Sequence, residues 1–391
     1  MSATQTAVPG QDRPDMVLLG VAAILLAIGL LMVASASIAL GDRQHDNAFY
    51  FLERQLLAAV MGLAAAWCMV KIPTRVWQQL APWLAAIAIL LLIMVLLPGL
   101  GRTANGSTRW LNIAGINIMQ VSEPVRLLLL IYIADYAVRR NQEIRSSSLG
   151  FIKPLAIVGL AAGLLLMQPD FGSAVLLIGI SFAVLFLAGA RLRDVGFTLG
   201  PVVIGFALLA KFSPYRMKRL TGFWDPWADP YGDGFQLTQS LIAIGSGEWT
   251  GLGLGASVQK LFYLPEAHTD FIFAVIAEEF GLLGSLVMIL LYVLLIWRAL
   301  VIARAAAARE HFFQAYIAFG LGVWLALQAA INLGVNMGVL PTKGLTLPLV
   351  SYGRSSLLVT LAALGLLLRI DLENRGIASA TRRRANGRVK R

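Results

Sequence analysis

Residues 270–298 read DFIFAVIAEEFGLLGSLVMILLYVLLIWR. Behind a single aspartate the run stays largely apolar as far as Arg298, broken chiefly by Glu278 and Glu279. A helix needs about 20 apolar residues to cross the hydrocarbon layer, so this stretch reads as a membrane span. Working outward, runs of the same kind recur at 16–40, 52–70, 79–98, 120–138, 152–168, 172–190, 195–211, 312–337 and 349–369. The predicted fold is therefore an all-α polytopic membrane protein of about ten transmembrane helices, with a long extracytoplasmic loop between helices 7 and 8. Lipid has no partner for unpaired backbone groups, and the alternation of a barrel strand is missing from the sequence. The chain of 391 residues is 58% hydrophobic and 14% charged, too apolar for a soluble domain of that length. The fourth span is interrupted at its start by Ser122, Glu123 and Arg126, and spans five and six are separated only by the turn Gln168-Pro169-Asp170.

The formal net charge is +11, but its placement does not describe a nucleic-acid surface. Basic residues fall in short loops and in the tail, Arg382 to Arg384 and then Arg388, Lys390 and Arg391, where they set orientation and meet anionic lipid headgroups at about 1 kcal/mol per charge. The larger share of the 32 Lys and Arg residues lies on one set of alternate loops, through Lys71, Arg75, Arg139, Arg140, Arg191, Arg298 and the tail. That side is expected to be cytoplasmic, with both termini inside, as an even number of spans requires. The implied organisation is a cytoplasmic N-terminal tail over 1–15, a membrane domain over 16–369 with its periplasmic loop at 212–269, and a basic cytoplasmic tail over 370–391. Val33-Ala34-Ser35-Ala36 resembles a signal-peptidase site, yet the apolar run before it exceeds the roughly 7–15 residues of a signal h-region, so a retained span is expected. Cys68 lies alone in an apolar run, and His45, His268 and His311 are far apart, so neither disulfide nor zinc chemistry is indicated.

The 212–269 connection carries Trp224, Trp227 and Trp249 with both signs of charge. A loop of that length inside a compact protein is usually functional or disordered, and its aromatic content favours a folded, membrane-hugging segment. Arg216, Lys218 and Arg219 at its start and Lys260 near its end run against the charge bias of the outer side. Anion binding to a phosphate or pyrophosphate headgroup gives them a reason; snorkelling to the headgroups is the other reading. Asp270 likewise has two readings that the residues alone leave open. It is placed to cap the helix that follows, or to act as a carboxylate at the mouth of a membrane cavity that accepts a proton from a hydroxyl.

Ionisable groups inside membrane segments usually face a cavity or a partner, which singles out Glu278, Glu279, Lys343 and Arg354. For Gln328, Asn332 and Asn336 an interhelical hydrogen bond is expected. Gly334, Gly338, Pro341, Gly344, Pro348 and Gly353 interrupt the helices here, so irregular backbone is expected to line that polar space.

Asn336-Met337-Gly338-Val339-Leu340-Pro341-Thr342-Lys343-Gly344-Leu345-Thr346-Leu347-Pro348, followed by Ser351-Tyr352-Gly353, resembles the signature of the SEDS family, the group of FtsW, RodA and SpoVE. Within it the Thr-Lys-Gly-Leu-Thr run is similar to the cell-division branch. Ser122-Glu123-Pro124-Val125, Gln168-Pro169-Asp170-Phe171-Gly172, the Trp224-Asp225-Pro226 segment and the stretch from Lys260 to Glu279 extend the resemblance over nearly the whole chain. The family pattern has glycine where this chain has Arg354, which puts an additional cation near the presumed cavity.

The resemblance implies a peptidoglycan glycosyltransferase of the bacterial inner membrane that polymerises lipid II at the division septum. The residue matching the family's essential aspartate is Asp270. It would take the proton of the attacking GlcNAc 4-hydroxyl in a single displacement at the MurNAc anomeric carbon that inverts α to β. Lys260, Arg216, Lys218, Arg219 and Lys343 would meet the departing pyrophosphate, with Glu279 and Ser351 as further substrate-binding candidates. The resemblance fixes no cofactor; a divalent cation, Mg or Mn, would suit the pyrophosphate. The implied partners are a class B penicillin-binding protein transpeptidase of the FtsI type and other divisome proteins such as the FtsQ/FtsL/FtsB complex, besides lipid II and membrane lipids; no nucleic acid is expected. Two other classes compete: a lipid II flippase, which the broken helices suit, and a non-enzymatic divisome scaffold. The asymmetric outer loop argues for chemistry on the outside.

Overall fold

The computed structural model describes residues 14–376 except 105–106, 114–115, 213–216, 218–221, 233 and 343. The N-terminal tail up to residue 13 and the basic tail beyond 376 lie outside the described residues. Each predicted span has its helix: α1 (Met16–His45), α2 (Tyr50–Lys71), α3 (Thr74–Leu96), α4 (Ser122–Arg139), α6 (Ser148–Met167), α7 (Phe171–Leu187), α8 (Leu192–Lys211), α10 (Ile272–Ala307), α11 (Phe312–Asn336) and α12 (Arg354–Asn374). Two shorter helices, α5 (Asn141–Ser146) and α9 (Phe235–Ser246), lie in connections. Seven of the long helices are each long and apolar enough to cross a membrane; the others are α4, α7 and α8. The chain is a multi-pass membrane protein.

Burial explains why the fourth span was faint in the sequence. Only 33% of the most apolar window of α1 is buried in protein, against 61% for α11 and 78% for α12. Peripheral helices show large apolar side chains such as Leu57, Trp67, Trp83 and Leu90 to the outside, as lipid solvent allows. Helix α4 is enclosed by α3, α7, α11 and α12, and its Glu123, Arg126 and Asp135 are all buried. A helix wrapped by protein has no need of a lipid-compatible surface, so its hydropathy drops. Helices α2 and α12 run close together because Gly365 lies against the Ala66 backbone, where a Cβ would come within 2.4 Å of the Ala66 carbonyl oxygen.

One departure from the all-helical expectation is a three-stranded antiparallel meander between α3 and α4: β1 (Gly101–Ala104), β2 (Ser107–Ile113) and β3 (Ile116–Gln120). Arg102 pairs with Trp110, and Trp110 with Gln120. Outside the hydrocarbon water can satisfy strand edges, so the rule that excludes open sheets no longer applies. The sheet is pinned to its neighbours: Arg109 donates to the Pro169 carbonyl, and the Gln120 N–H donates to Ser355 Oγ at 2.9 Å.

The second departure is inside the longest span. Gly281 has φ 65° and ψ −162°, which breaks α10. Four backbone groups then need partners from elsewhere, and the outer loop supplies them. Leu252 and Gly253 N–H donate to the Glu278 and Glu279 carbonyls, both at 3.0 Å. Leu282 and Leu283 N–H donate to the Glu248 and Trp249 carbonyls at 2.9 and 3.2 Å. A Cβ at Gly281 would lie 2.4 Å from the Gly251 nitrogen. With α9 packed on α10 and α11, the outer loop is a folded element, as its aromatic content suggested; Trp224, Trp227 and Trp249 are exposed on it.

At the opposite end a charged knot holds the helix ends together. Arg298 Nε donates to Asp15 at 2.8 Å, the Asp15 N–H donates to Asp371 at 3.1 Å, and the Thr74 N–H donates to Glu373 at 3.1 Å. Gly281→Ala is expected to cost at least about 1–3 kcal/mol for backbone strain, read as a lowered thermal unfolding midpoint in detergent. Gly163→Ala, inside α6 where a Cβ meets nothing within 4 Å, is the control and should leave that midpoint equal or slightly raised.

Candidate active site

Asp270 is half-buried just ahead of α10. The N-cap of that helix is Phe271, and its side chain caps nothing. The side chain that reaches the first turn belongs to Asn336 of α11, whose Oδ1 accepts from the Ala274 N–H at 3.1 Å. A side chain from another helix thus takes part in capping α10.

The same asparagine holds Asp270 from behind. Asn336 Nδ2 donates to the Asp270 carbonyl at 3.0 Å, and Asn332 Nδ2 donates to it at 2.8 Å. Asn332 also donates to the Leu345 carbonyl at 2.6 Å. The two amides stand four residues apart, hence on one face of α11, and are 1% and 0% exposed. They lock the backbone of Asp270 to the Gly344–Thr346 segment and leave the carboxylate clear of the clamp. A Cβ on Gly344 would stand 2.9 Å from Asp270 Oδ2, so that backbone runs against the carboxylate.

The remaining expected site residues divide into two groups. Arg216, Lys218, Arg219 and Lys343 lie outside the described residues. Lys260, Glu279 and Ser351 are described and have local partners. Lys260 Nζ donates to Glu279 Oε1 at 2.6 Å and to Ser35 Oγ at 2.9 Å, with side chains 8% and 0% exposed for the ion pair. Lys260 therefore bridges loop, α10 and α1, and its nearest anion is a buried carboxylate. Glu278 accepts from Ser257 Oγ and, at 3.0 Å, from the Val258 N–H, which sets the path of the chain into Lys260. Ser351 Oγ accepts from the Leu347 N–H at 2.8 Å and so stabilises its own turn.

Other residues were not assigned a site role from sequence. Rings of Phe51, His268 and Tyr352 pack at 4.8–5.4 Å two residues from Asp270. Burial holds the His268 imidazole below its ordinary value, against the opposite pull of Glu266, so it is neutral at pH 7. Burial pushes the Tyr352 phenol up, with Arg354 and Arg54 pulling it down less strongly; it stays a donor. Deeper in the bundle Arg126 Nη1 donates to Gln328 Oε1 at 2.8 Å and lies 3.4 Å from Glu123. Gln328 Nε2 in turn donates to the Thr346 carbonyl at 2.9 Å. A polar line therefore runs from α4 through α11 to the segment beside Asp270. The interruption of the fourth span by two charges was its trace in the sequence. Among the described residues no three His, Cys, Asp or Glu side chains gather as a metal site.

The family described as Cell cycle protein, of FtsW, RodA and SpoVE, matches residues 15–376. The chain belongs to this family. Among FtsW/RodA/SpoVE proteins it is 56% identical to the probable peptidoglycan glycosyltransferase FtsW of Thioalkalivibrio sulfidiphilus, over 89% of this chain and 87% of that protein. It is 50% identical to the protein of that name from Coxiella burnetii, over 89% and 94%. Among solved structures, the rod shape determining protein RodA of Thermus thermophilus superposes with a TM-score of 0.67 at 29% identity, over 92% of this chain and 97% of that one. A chain from a study of polymerization and crosslinking by a peptidoglycan synthase complex gives 0.73 at 32% identity, over 92% and 98%.

Asn332→Ala strands the Leu345 carbonyl and leaves the Asp270 carbonyl to Asn336 alone, and should cost about 1–3 kcal/mol, seen as a lower unfolding midpoint together with faster amide exchange over 270–274. Glu279→Ala leaves a buried lysine unpaired and should cost about 3–5 kcal/mol, whereas Lys260→Met combined with Glu279→Gln should recover most of that loss in the same unfolding measurement.

Proposed function

We infer that this protein is a peptidoglycan glycosyltransferase that polymerises lipid II, with Asp270 as general base. The observation that carries the assignment of the base is the clamp: Asn332 and Asn336 grip the Asp270 carbonyl at 2.8 and 3.0 Å while its carboxylate lies beside Gly344 at the mouth of the bundle. A base fixed through its backbone keeps its carboxylate in place without using the oxygens that must take the proton. The family and the names of its relatives supply the reaction class.

In the reaction the GlcNAc 4-hydroxyl of one lipid II attacks the MurNAc anomeric carbon of the donor strand. The hydroxyl proton passes to Asp270, the new C–O bond forms, and the bond from the anomeric carbon to the pyrophosphate oxygen breaks. The departing polyprenyl pyrophosphate carries the electron pair away, so cations beside it lower the barrier. One displacement inverts the anomeric centre, turning an α-linked donor into a β-linked product, and no second carboxylate is needed.

The same reading gives the chain a class B penicillin-binding protein as partner, in line with the polymerization and crosslinking complex whose chain it resembles. It also places the protein in the bacterial inner membrane at the septum, with both termini cytoplasmic and other divisome proteins nearby. Broken helices suit a transporter too. Here, however, the break at Gly281 is filled by the chain's own 248–253 loop, with four backbone groups paired, which favours a fixed outer site over alternating access.

With the partner transpeptidase present, Asp270→Asn is expected to lower lipid II polymerisation by about 10²–10⁴-fold while the complex still forms and unfolds at the wild-type temperature. Full polymerisation by that variant would sink the base assignment, and lipid II translocation without polymerisation by the wild type would favour a flippase.

A further inference from the structure

On the face that carries Asp270, Arg54 and Arg354 are among the arginines that form no ion pair among the described residues. Arg54 is exposed, with its guanidinium 4.0 Å above the Tyr50 ring. Arg354 is half-buried as the first residue of α12. The nearby carboxylates are engaged elsewhere: Glu53 accepts from Asn47 at 3.4 Å, and Glu266 from Thr269 at 2.7 Å. A cation at the start of a helix also stands against the positive end of the helix dipole. Nothing in the folded chain rewards its placement, and an anion arriving from outside would.

The fold holds the two arginines as a pair. Gln55, next to Arg54, donates through Nε2 to the Ser351 carbonyl at 3.1 Å, and its Oε1 accepts from the Gly353 N–H at 3.2 Å. This clasp fastens α2 to the turn that leads into Arg354. Tyr352 stands within it, and both guanidinium charges act on its hydroxyl. The Tyr352 N–H donates to the His268 carbonyl at 2.9 Å, two residues from Asp270, so the pair is tied to the same short strand of chain as the base.

The chemistry selects the ligand class. Two guanidinium forks on segments that Gln55 holds together match a group with several anionic oxygens, since arginine engages phosphoryl oxygens two at a time. A single carboxylate would occupy only one fork. The Tyr50 ring is stacked on His45 at 3.5 Å and carries Arg54 over it, and the Phe51, His268 and Tyr352 rings pack together beside the charges. We propose that Arg54 and Arg354, clasped together by Gln55 and flanked by Tyr50 and Tyr352, form a phosphoryl-binding site that holds the pyrophosphate of the lipid-linked sugar. The proposal rests on the reaction inferred above. A phospholipid headgroup presents the same chemistry at the same surface, and the experiment separates the two sources.

The test measures binding of undecaprenyl pyrophosphate to the full-length protein with its partner transpeptidase, in phosphatidylcholine vesicles and again with phosphatidylglycerol added. Arg54→Gln and Arg354→Gly are each expected to weaken binding about tenfold, the double variant more, with Arg354→Lys recovering part of the loss. Unfolding midpoints confirm that each variant is folded. Losses of equal size in both vesicle types support the pyrophosphate assignment. Undiminished pyrophosphate binding overturns it, and if phosphatidylglycerol association falls instead, the site belongs to lipid headgroups. Because binding is read rather than turnover, the series is repeated with Asp270→Asn. Failure of the base assignment then shows as full polymerisation by that variant, and failure of this site shows as unchanged affinity in the arginine variants.

Discussion

Glu278, Glu279, Leu282 and Leu283 lose their helical partners where α10 breaks at Gly281, and most of the outer architecture follows from repairing that loss. Unpaired amides in or near hydrocarbon are too costly to persist. The loop at 248–253 therefore has to dock with its own N–H and C=O groups aligned to the break. Once it is docked, the chain that follows can reach Asp270 only along a short path. Glu278 fixes that path through Ser257 and Val258, and Glu279 fixes it again through Lys260. Two adjacent carboxylates that sequence alone offered to a ligand cavity thus also fasten the loop that leads to Asp270.

A second fastener comes from α11. Asn332 and Asn336 contact Asp270, Ala274 and Leu345, joining the start of α10 to the irregular segment before α12. The hydrogen bonds act on backbone atoms, which locate a residue more firmly than contacts to a flexible side-chain end. The ion pair of Lys260 and Glu279 is stronger in isolation, yet much of its Coulomb energy offsets the desolvation of two charges. Neutral amides impose geometry at lower desolvation cost, which is why the alignment of Asp270 is assigned to them.

Charge is sorted by height along the bundle. One end is closed by Asp15, Asp371 and Glu373 against Arg298, Arg369 and Arg375, whose charges neutralise one another. The bundle interior keeps the Glu123–Arg126 pair on α4, enclosed by helices that face lipid on their other sides. The face around Asp270 instead keeps Arg54 and Arg354 outside any ion pair among the described residues. An enzyme whose substrate presents pyrophosphate at the membrane surface has use for that imbalance, and a purely structural end cap does not.

Ten spans, their order and the position of the long outer loop were legible in the sequence, because transfer into lipid imposes a local rule: about 20 apolar residues per crossing, read one segment at a time. The family signature around Thr342–Ser351 was legible for the same reason, as contiguous text. Even the weak fourth span was marked by its charges, whereas the strands between α3 and α4 were not read from the sequence. Roles that depend on residues distant in the chain were beyond such reading. Lys260 and Glu279 looked like two ligands for substrate until folding set them 2.6 Å apart, and Asn336 looked like a helix-packing residue until it took over the cap at Ala274. Asp270 was a helix cap or a base in the sequence, and only the fold shows that α11 delivers an amide to its carbonyl from 66 residues away. Hydrophobic transfer is additive along the chain, whereas hydrogen bonding between buried groups depends on which segments meet, and only the tertiary structure decides that.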